Sequence, residues 1–287
     1  MPNLYVVATP IGNLEDISLR ALRILREVKL IAAEDTRKTK RLLNRYSIQT
    51  PMTSYHEHNK KIKLDYVLNQ LKEDDVALVS EAGMPGVSDP GYELIRAATR
   101  ANIPVVPVPG PSAVITALAV SGLPIDRFLY LGFLPRRASA RRQALHSVAQ
   151  ETGTIVILEA PHRLQSTLND LKLLLGDRQI AVCRELTKLH EEVFRGSISQ
   201  AIACFTEPRG EFTLVVEGKR EEEHQISNKV IEQWLCDMYQ SGAKTKEAIT
   251  RVAGETGIPR RELYRTFLKI NKASDKNRGH CHSLERS

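Results

Sequence analysis

The chain has 287 residues, of which 42% are hydrophobic and 26% are charged, and its formal net charge is +7. This composition is typical of a soluble globular protein with a large core, and the length favours two domains. No apolar run approaches the roughly 18–20 residues that a membrane span needs, and the positive charge favours an anionic partner such as RNA, DNA or a membrane surface.

Four apolar runs of strand length alternate with helical patterns in the first part of the chain. Strands are predicted in LYVVATP, VKLIAAED, DVALVSEAG and IPVVPVPG, and helices in ISLRALRILREV, KKIKLDYVLNQLKE and YELIRAATRA. Strands that are apolar throughout and separated by helices predict a mostly parallel sheet covered on both faces. We therefore expect an N-terminal α/β domain over residues 1–114.

The pattern restarts after a predicted helix in PGPSAVITALAVSGLP. Further strands are predicted in RFLYLGFLP, GTIVILEAP, QIAVCREL and EFTLVVEG. These strands, which again alternate with helical segments, predict a second α/β domain over residues 115–222.

Only helical patterns follow the charged connector GKREEEHQIS. The segment KTKEAITRVAGETGIPRRELYRTFLKI is typical of a helix-turn-helix, since Gly254 or Gly257 can end one helix and Pro259 can begin the next. We expect a small C-terminal helical domain over residues 226–272. The polar tail over 273–287 is expected to be disordered.

The spacing of the cysteines and the N-terminal sequence favour the reducing cytoplasm as the cellular compartment. The four cysteines are widely spaced and form no C-x-x-C, which argues against a zinc ribbon or a disulfide framework. The N-terminal residues lack the basic segment of a signal peptide. We expect a cytoplasmic protein.

Two basic segments are candidates for contact with an anionic partner. Four arginines stand in FLPRRASARRQALH without an acidic residue among them, and the stretch from Ser241 to Lys272 has eight lysines and arginines against three glutamates. Both segments could be solvated surface, and the C-terminal one could be a capping or dimer element. The helix-turn-helix pattern favours nucleic-acid contact.

The loops after the predicted strands are where a parallel sheet binds its ligands. In the first domain these loops are ATPIGN, AEDTRKT, SEAGMPGVSDPG and PGPSA, which are rich in Gly, Pro, small hydroxyls and carboxylates. No G-x-x-x-x-G-K-[ST] or G-x-G-x-x-G occurs, and the carboxylates Glu34, Asp35, Glu81 and Asp89 would repel a triphosphate. S-adenosylmethionine, with its positive sulfonium, fits better than ATP or NAD, although SEAGMPGVSDPG could also be only a tight turn.

The same segments resemble a known family. The resemblance is carried by LYVVATPIGNLEDISLRAL, AEDTR, YHEHN, SEAGMPGVSDPG, PGPSAVITAL, GFLPRR, EAPHR and RELTK, in this order over about residues 3–270. They are similar to motifs of the bacterial 16S rRNA (cytidine-2′-O)-methyltransferase I family, within the tetrapyrrole (corrin/porphyrin) methylase superfamily. The resemblance implies two α/β domains with an S-adenosylmethionine cleft between them, a homodimer, and a cytidine ribose near the decoding centre of the small subunit as methyl acceptor.

The resemblance also implies which residues bind the cofactor. Many superfamily members have an aspartate where this chain has Met84, so we expect Glu81 or Asp89 to replace it. The other implied cofactor-binding residues are Ile11, Gly12, Ala82, Gly83, Pro85, Val87, Ser112, Ala113, Glu159, Ala160 and Leu186.

Methyl transfer to a ribose hydroxyl is an in-line displacement, in which positioning supplies most of the acceleration and a general base removes the proton. The candidate bases are Glu34, Asp35, His56, His58 and Glu81. The cations expected to hold phosphate or lower the pKa of the hydroxyl are Arg37, Arg163 and Lys188. The residues expected to contact RNA, as free rRNA or in the 30S subunit, are Arg136, Arg137, Arg141, Arg142, Arg163, Arg260 and Arg261.

Three alternatives stay open beside this interpretation. The α/β part could be a ligand sensor of a nucleic-acid-binding regulator, or the protein could methylate a tetrapyrrole, although a porphyrinoid needs no basic footprint. His56 and His58 could bind a metal, but without cysteines nearby they are more typical of a polar surface. We expect no metal site.

Overall fold

The computed structural model describes residues 2–57, 59–87, 91–220, 228–241, 244–256 and 258–268. The chain divides into two compact units, Met1–Lys219 and Arg220–Ser287. The larger unit contains two five-stranded sheets, each with its own helices, and we refer to these as the first and second lobes. No described helix is both long and apolar enough to cross a membrane.

The first lobe is built on a fully parallel sheet with the strand order β3-β2-β4-β1-β5. Its strands are β1 (Leu4–Val7), β2 (Leu30–Ala33), β3 (Met52–Ser54), β4 (Val76–Val79) and β5 (Val105–Val108). Its helices are α1 (Leu19–Glu27), α2 (Thr36–Arg45), α3 (Lys60–Gln70) and α4 (Tyr92–Arg100), and a 3-10 turn spans Leu14–Asp16.

Helices cover both faces of this sheet, as the uniformly apolar strands predict. On one face α1 and α2 pack their apolar residues, such as Leu25 and Leu42, against Ile31 and Val79. On the other face α3 and α4 place Val67 and Leu94 in a separate cluster with the sheet. The parallel sheet with two covered faces is therefore confirmed. The short edge strand β3 and the helix α2 were not expected.

The second lobe has a mixed sheet with the order β6-β7-β10-β8-β9, in which only β6 and β7 are parallel. Its strands are β6 (Phe128–Phe133), β7 (Thr154–Glu159), β8 (Gln179–Arg184), β9 (Glu192–Ser197) and β10 (Phe212–Val216). Its helices are α5 (Ala113–Ser121), α6 (Ala138–Ser147), α7 (Pro161–Leu175) and α8 (Ile198–Cys204). Helix α5 follows β5 of the first lobe directly and packs Ala117 and Leu118 on the second sheet.

The smaller unit consists, in its described residues, of helices with a core of their own. These are α9 (Asn228–Gln240), α10 (Thr245–Thr256) and α11 (260–268), whose buried residues include Leu235, Val252 and Phe267. Gly254 lies inside α10 and does not end it, which corrects one expectation, while Gly257 lies outside the described residues. Pro259 precedes α11, and its carbonyl accepts a hydrogen bond from the Glu262 amide at 2.8 Å.

The finer domain boundaries at 114/115 and 226–272 stay predictions. The tail over 273–287, like His58 and Asp89, lies outside the described residues.

Candidate active site

A cavity of about 410 Å³ lies where strand ends of the two lobes meet. The carboxyl ends of parallel strands share one edge of the first sheet, so the loops after β1, β2, β4 and β5 converge there. In the second sheet the antiparallel β10 brings its amino end beside the carboxyl end of β7. The walls are formed by Ile11, Glu34, Glu81, Ala82, Gly83, Met84, Val87, Ser112, Ala113, Val114, Tyr130, Phe133, Leu158, Glu159, Ala160, Pro161, Cys183, Leu186, Glu211, Phe212 and Thr213.

The cavity brings together eleven of the thirteen residues expected to bind a cofactor. The two exceptions are Pro85, which is buried within the loop after β4, and Gly12. Glu34, expected as a candidate base, also lines the wall. The placement gathers these residues in one site, and their roles stay predictions.

The loop after β4 is fixed by hydrogen bonds to the end of β1. The Gly83 amide donates to the Thr9 carbonyl and the Thr9 amide donates to the Gly83 carbonyl, both at 2.9 Å. Gly83 has φ +77°, a conformation that favours glycine. Because Gly83 has no side chain, its backbone forms this part of the cavity wall.

Gly12 joins the lobes instead of lining the cavity. A Cβ atom at this position would lie 2.5 Å from the Lys188 Cγ and 2.8 Å from the Leu186 carbonyl oxygen. The neighbouring Asn13 amide donates to the Thr187 Oγ1 at 3.0 Å. Only glycine therefore allows the loop after β1 to approach the loop after β8 this closely.

Glu34 is the carboxylate best placed to exchange a proton in the cavity. Burial raises the pKa of the Glu34 carboxyl above its ordinary value, and the charges of Lys38 and His56 partly oppose this shift. The Glu34 Oε2 accepts a hydrogen bond from the Glu81 amide at 3.0 Å, which orients the carboxylate. The Glu81 carboxylate, also on the wall, forms an ion pair with Lys38.

Asp35 has a structural role that its neighbour Glu34 lacks. Its carboxylate caps α2 by accepting hydrogen bonds from the Arg37 amide at 2.8 Å and the Lys38 amide at 3.2 Å. Burial alone would raise the pKa of Asp35, but these hydrogen bonds outweigh it and lower the pKa. The Arg37 side chain is exposed and lies 3.4 Å from the Asp35 carboxylate, and neither residue lines the cavity.

His56 and Lys188 lie next to the cavity. His56 is close enough to Glu34 to lower the pKa of that carboxyl, and its amide donates to the Asn59 Oδ1 at 2.8 Å. The Lys188 ammonium lies 2.9 Å from the Glu211 carboxylate and 3.0 Å from Glu185. Burial lowers the pKa of Lys188, but the bonds to Glu211 and Glu185 outweigh this and raise it. Lys188 therefore neutralises a carboxylate of the wall.

Glu159 is a buried carboxylate of the wall with a full set of local partners. It accepts hydrogen bonds from the Thr167 hydroxyl at 2.5 Å and the Ala160 amide at 2.8 Å, and the Arg163 Nε lies 3.3 Å away. Arg163 also donates to the Leu134 carbonyl at 2.7 Å, and its side chain is only 13% exposed. Arg163 thus holds Glu159 and the loop after β6, which differs from its expected contact with RNA.

Sequence reasoning missed nine residues of the wall, which are Val114, Tyr130, Phe133, Leu158, Pro161, Cys183, Glu211, Phe212 and Thr213. Several lie within apolar strands, where a cavity-facing side chain has the same pattern as a core side chain. Glu211 immediately precedes β10 and could have been found as a strand-end residue. Burial raises the pKa of the Cys183 thiol to about 11, so this wall residue is a poor nucleophile.

The expected RNA-contacting arginines separate into exposed and buried groups. Arg136 and Arg137 before α6 are exposed, as are Arg260 and Arg261 in α11. Arg141 differs from expectation, because its side chain is buried and bonds to the buried Asp170 at 2.7 Å. Arg142 shares Asp170 at 2.7 Å, but its side chain remains 55% exposed.

Comparisons with known proteins agree with this architecture. Residues 3–202 match the family described as Tetrapyrrole (Corrin/Porphyrin) Methylases. Proteins named Ribosomal RNA small subunit methyltransferase I are 47% identical in Halalkalibacterium halodurans (92% of this chain, 94% of the relative) and 40% identical in Escherichia coli O157:H7 (93% and 94%). The one from Thermotoga maritima is 52% identical over 76% of this chain and 100% of its own length.

Solved structures with a similar fold include uroporphyrin-III C-methyltransferase from Thermus thermophilus. One structure has a TM-score of 0.53 at 21% identity and covers 76% of this chain and 94% of its own. Another, in complex with S-adenyl homocysteine, has a TM-score of 0.55 at 19% identity and covers 75% and 97%. With the family match and the close relatives, these observations establish that the chain belongs to the tetrapyrrole methylase family, in the group of the small-subunit ribosomal RNA methyltransferases I.

Proposed function

We propose that the protein transfers a methyl group from S-adenosylmethionine to the ribose 2′-hydroxyl of a cytidine in small-subunit ribosomal RNA. The observation that carries the proposal is the cavity at the strand ends, in a chain whose relatives over more than nine-tenths of its length are named as ribosomal RNA methyltransferases. Methylation of ribosomal RNA follows from the relatives' names. The cytidine and its 2′-oxygen follow from the resemblance of the sequence motifs.

The residues of the cavity fit S-adenosylmethionine. A volume of about 410 Å³ lies in the usual range for small-molecule sites, and the wall combines apolar side chains such as Ile11 and Leu186 with backbone at Gly83. Of the four glutamates on the wall, Glu81, Glu159 and Glu211 pair with the cations Lys38, Arg163 and Lys188. The Glu34 carboxylate has no such ion pair among the described residues and suits a ligand with a cationic centre better than a triphosphate. When bound, S-adenosylmethionine supplies an electrophilic methyl group on a positively charged sulfur.

The chain's own residues would position the acceptor and remove its proton. Glu34 is the proposed base, because burial raises its pKa toward the working range and the Glu81 amide holds its carboxylate in place. Lys188 keeps Glu211 paired, so the wall retains few uncompensated charges. Apolar wall residues such as Ile11 and Leu186 would limit the water around the reacting groups.

We propose that RNA is held by the exposed arginines Arg136, Arg137 and Arg142 and by Arg260 and Arg261 of the smaller unit. The substrate is free rRNA or the 30S subunit, so we place the protein in the cytoplasm.

A homodimer is also proposed, because the edge strand β6 exposes Phe128 and Phe133. Sedimentation equilibrium that gives the mass of one chain at micromolar concentration would contradict the dimer.

The decisive experiment is transfer of a tritiated methyl group from S-adenosylmethionine to 30S subunits from a strain that lacks the modification. Nucleoside analysis should then give 2′-O-methylcytidine. Label in a base, or incorporation only into a uroporphyrinogen offered in parallel, would refute the proposal. Calorimetric titration with S-adenosylhomocysteine tests cofactor binding independently of the acceptor.

A further inference from the structure

A strongly basic surface of the described larger unit lies on two consecutive helices, α1 and α2. Both pack on the same face of the first sheet, where Ala21, Leu25 and Leu42 belong to one buried cluster. Their outward faces are charged. Residues 19–45 contain nine lysines and arginines against three acidic residues, which accounts for most of the chain's net charge of +7.

The three acidic residues of this segment neutralise only part of the outward face, at Arg23 and Arg37. Glu27 pairs with Arg23 at 2.9 Å, Asp35 caps α2, and Glu34 turns into the cavity. Among the described residues no acidic side chain lies within ion-pair distance of the exposed cations Arg20, Lys40, Arg41 and Arg45. We call the exposed cations of α1 and α2 the α1–α2 basic face.

The first turn of helix α2 lies beside the cavity, so the basic face extends from the cavity along this helix. The helix begins right after Glu34 on the cavity wall, and Lys38 in its first turn pairs with Glu81, another wall residue. Arg37, Arg41 and Arg45 are spaced four residues apart, so they form one stripe about 12 Å long on the helix. A chain of phosphates along this stripe would end at the cavity.

The composition of the face favours RNA over other anionic partners. Leu19 is the one large apolar residue of α1 and α2 that is strongly exposed, at 85%. A protein interface or a membrane surface normally buries a cluster of apolar or aromatic side chains, which this face lacks. Lysines and arginines without such a cluster are typical of contact with a phosphate backbone.

We propose that the α1–α2 basic face binds the phosphate backbone of the RNA substrate and guides the acceptor nucleotide to the cavity. This inference rests on the proposed function for the identity of the RNA. It adds a docking surface in the first lobe to the arginines already assigned.

The test replaces three exposed cations of α2 together, K40A/R41A/R45A, and leaves the residues next to the cavity unchanged. The matched control is K72A/R96A/R100A, which removes the same charge from exposed positions on the opposite side of the same sheet. Filter binding to in vitro transcribed small-subunit rRNA is measured over a series of KCl concentrations. Calorimetry with S-adenosylhomocysteine monitors the fold and the cavity of each variant.

We expect the α2 variant to bind RNA roughly tenfold or more weakly and to lower the slope of log K against log salt by about 2, since each lost phosphate contact lowers it by about 0.7–0.9. The control variant should stay within about threefold of the wild type, and both should bind S-adenosylhomocysteine normally. Equal losses in both variants, or no loss in the α2 variant, would overturn the inference.

Three further outcomes separate competing interpretations. Loss of binding to phosphatidylserine vesicles in the α2 variant, with RNA binding retained, would assign the face to a membrane and overturn the inference. A wild-type protein that methylates rRNA while the α2 variant binds RNA unchanged refutes only this docking surface. A wild-type protein that shows the α2-dependent RNA binding but transfers no methyl group refutes only the proposed function.

Discussion

Two adjacent carboxylates, Glu34 and Asp35, have opposite environments although they follow the same strand. Glu34 is partly buried in the cavity wall, where burial raises its pKa. Asp35 accepts two amide hydrogen bonds at the start of α2, and these outweigh the effect of burial and lower its pKa. A carboxylate with a raised pKa is the stronger base, so Glu34 is better suited to accepting a proton than Asp35, which caps the helix.

Replacing Glu34 with Gln should lower kcat for methyl transfer by about 10² to 10⁴-fold, the usual contribution of a general base. In the wild type, kcat should fall as the pH drops through the raised pKa of Glu34, because the protonated carboxyl cannot accept a proton. The residual activity of E34Q should lack this acidic limb. Single-turnover kinetics at several pH values, with S-adenosylhomocysteine affinity as a check on the cavity, measure both effects.

The matched control is Asp35→Asn. Asparagine caps a helix about as well as aspartate, so this variant should retain kcat within a fewfold of the wild type. A loss in D35N as large as that in E34Q would show that the loop geometry matters and that Glu34 is not the base.

At the scale of elements, α6 is joined to α7 by an arginine pair that shares one buried aspartate. Arg141 is buried with Asp170, whereas Arg142 reaches the same carboxylate from the surface. The sequence RRASARR shows the charge of these residues but not their burial, because burial depends on the partner at position 170 in a later helix. This is why sequence analysis assigned both arginines to RNA.

Arg141→Ala should lower the free energy of unfolding by about 3 kcal/mol or more, because it removes the buried partner of a buried carboxylate. Arg142→Ala should lower it by at most about 1 kcal/mol, as for an exposed ion pair. Urea denaturation compares the two variants. RNA binding should weaken in R142A and stay unchanged in folded R141A, and the reverse pattern would contradict the assignment of these arginines.

The difference between local sequence pattern and distant partners also explains how much of the fold could be predicted. Buried strands such as Val76–Val79 are continuous apolar runs and were found, together with helices α1, α3 and α4, whereas α2 was not predicted. The strands that were missed, Met52–Ser54 and Glu192–Ser197, are edge strands with polar residues, so their sequences lack the apolar run. The antiparallel pairing of β10 could not be inferred, because pairing depends on sheet order and not on local pattern.

The loops of the candidate site could be predicted from their small residues and carboxylates, and the resemblance to the family implied the individual cofactor-binding residues. Gly83 has a positive φ and Ser112 caps α5 at the cavity, and residues of this kind stand out in a sequence. Tyr130 and Cys183 contribute ordinary strand positions to the wall and therefore do not stand out. The sequence does not show which strand side chains point into the cavity, because this depends on how the two lobes pack against each other.

At the scale of the whole molecule, both sheets and the complete cavity belong to the unit Met1–Lys219. The Thermotoga maritima relative matches over its full length while covering 76% of this chain. A chain that ends at Lys219 should therefore bind S-adenosylhomocysteine within about threefold of the full-length affinity, since no described wall residue is lost. Calorimetry measures this, and loss of cofactor binding would contradict the assignment of the site to one unit.

The truncated chain should also bind rRNA more weakly, because it lacks the exposed cations of the smaller unit, among them Arg260, Arg261 and Arg265. A full-length R260A/R261A variant is the matched control. It should reproduce part of the loss of RNA affinity and of the salt dependence without changing thermal stability. If it binds RNA as the wild type does, these two arginines do not contact RNA.

The position of β10 has a consequence for how the enzyme is made. The five strands of the first sheet are complete at Val108, so the first lobe can fold early during translation. The second sheet needs β10 (Phe212–Val216) between β7 and β8, although β10 is the last strand to be synthesised. Glu211, Phe212 and Thr213 also complete the cavity wall. A nascent chain therefore completes this cavity, the proposed cofactor site, only after β10 has left the ribosome that makes it.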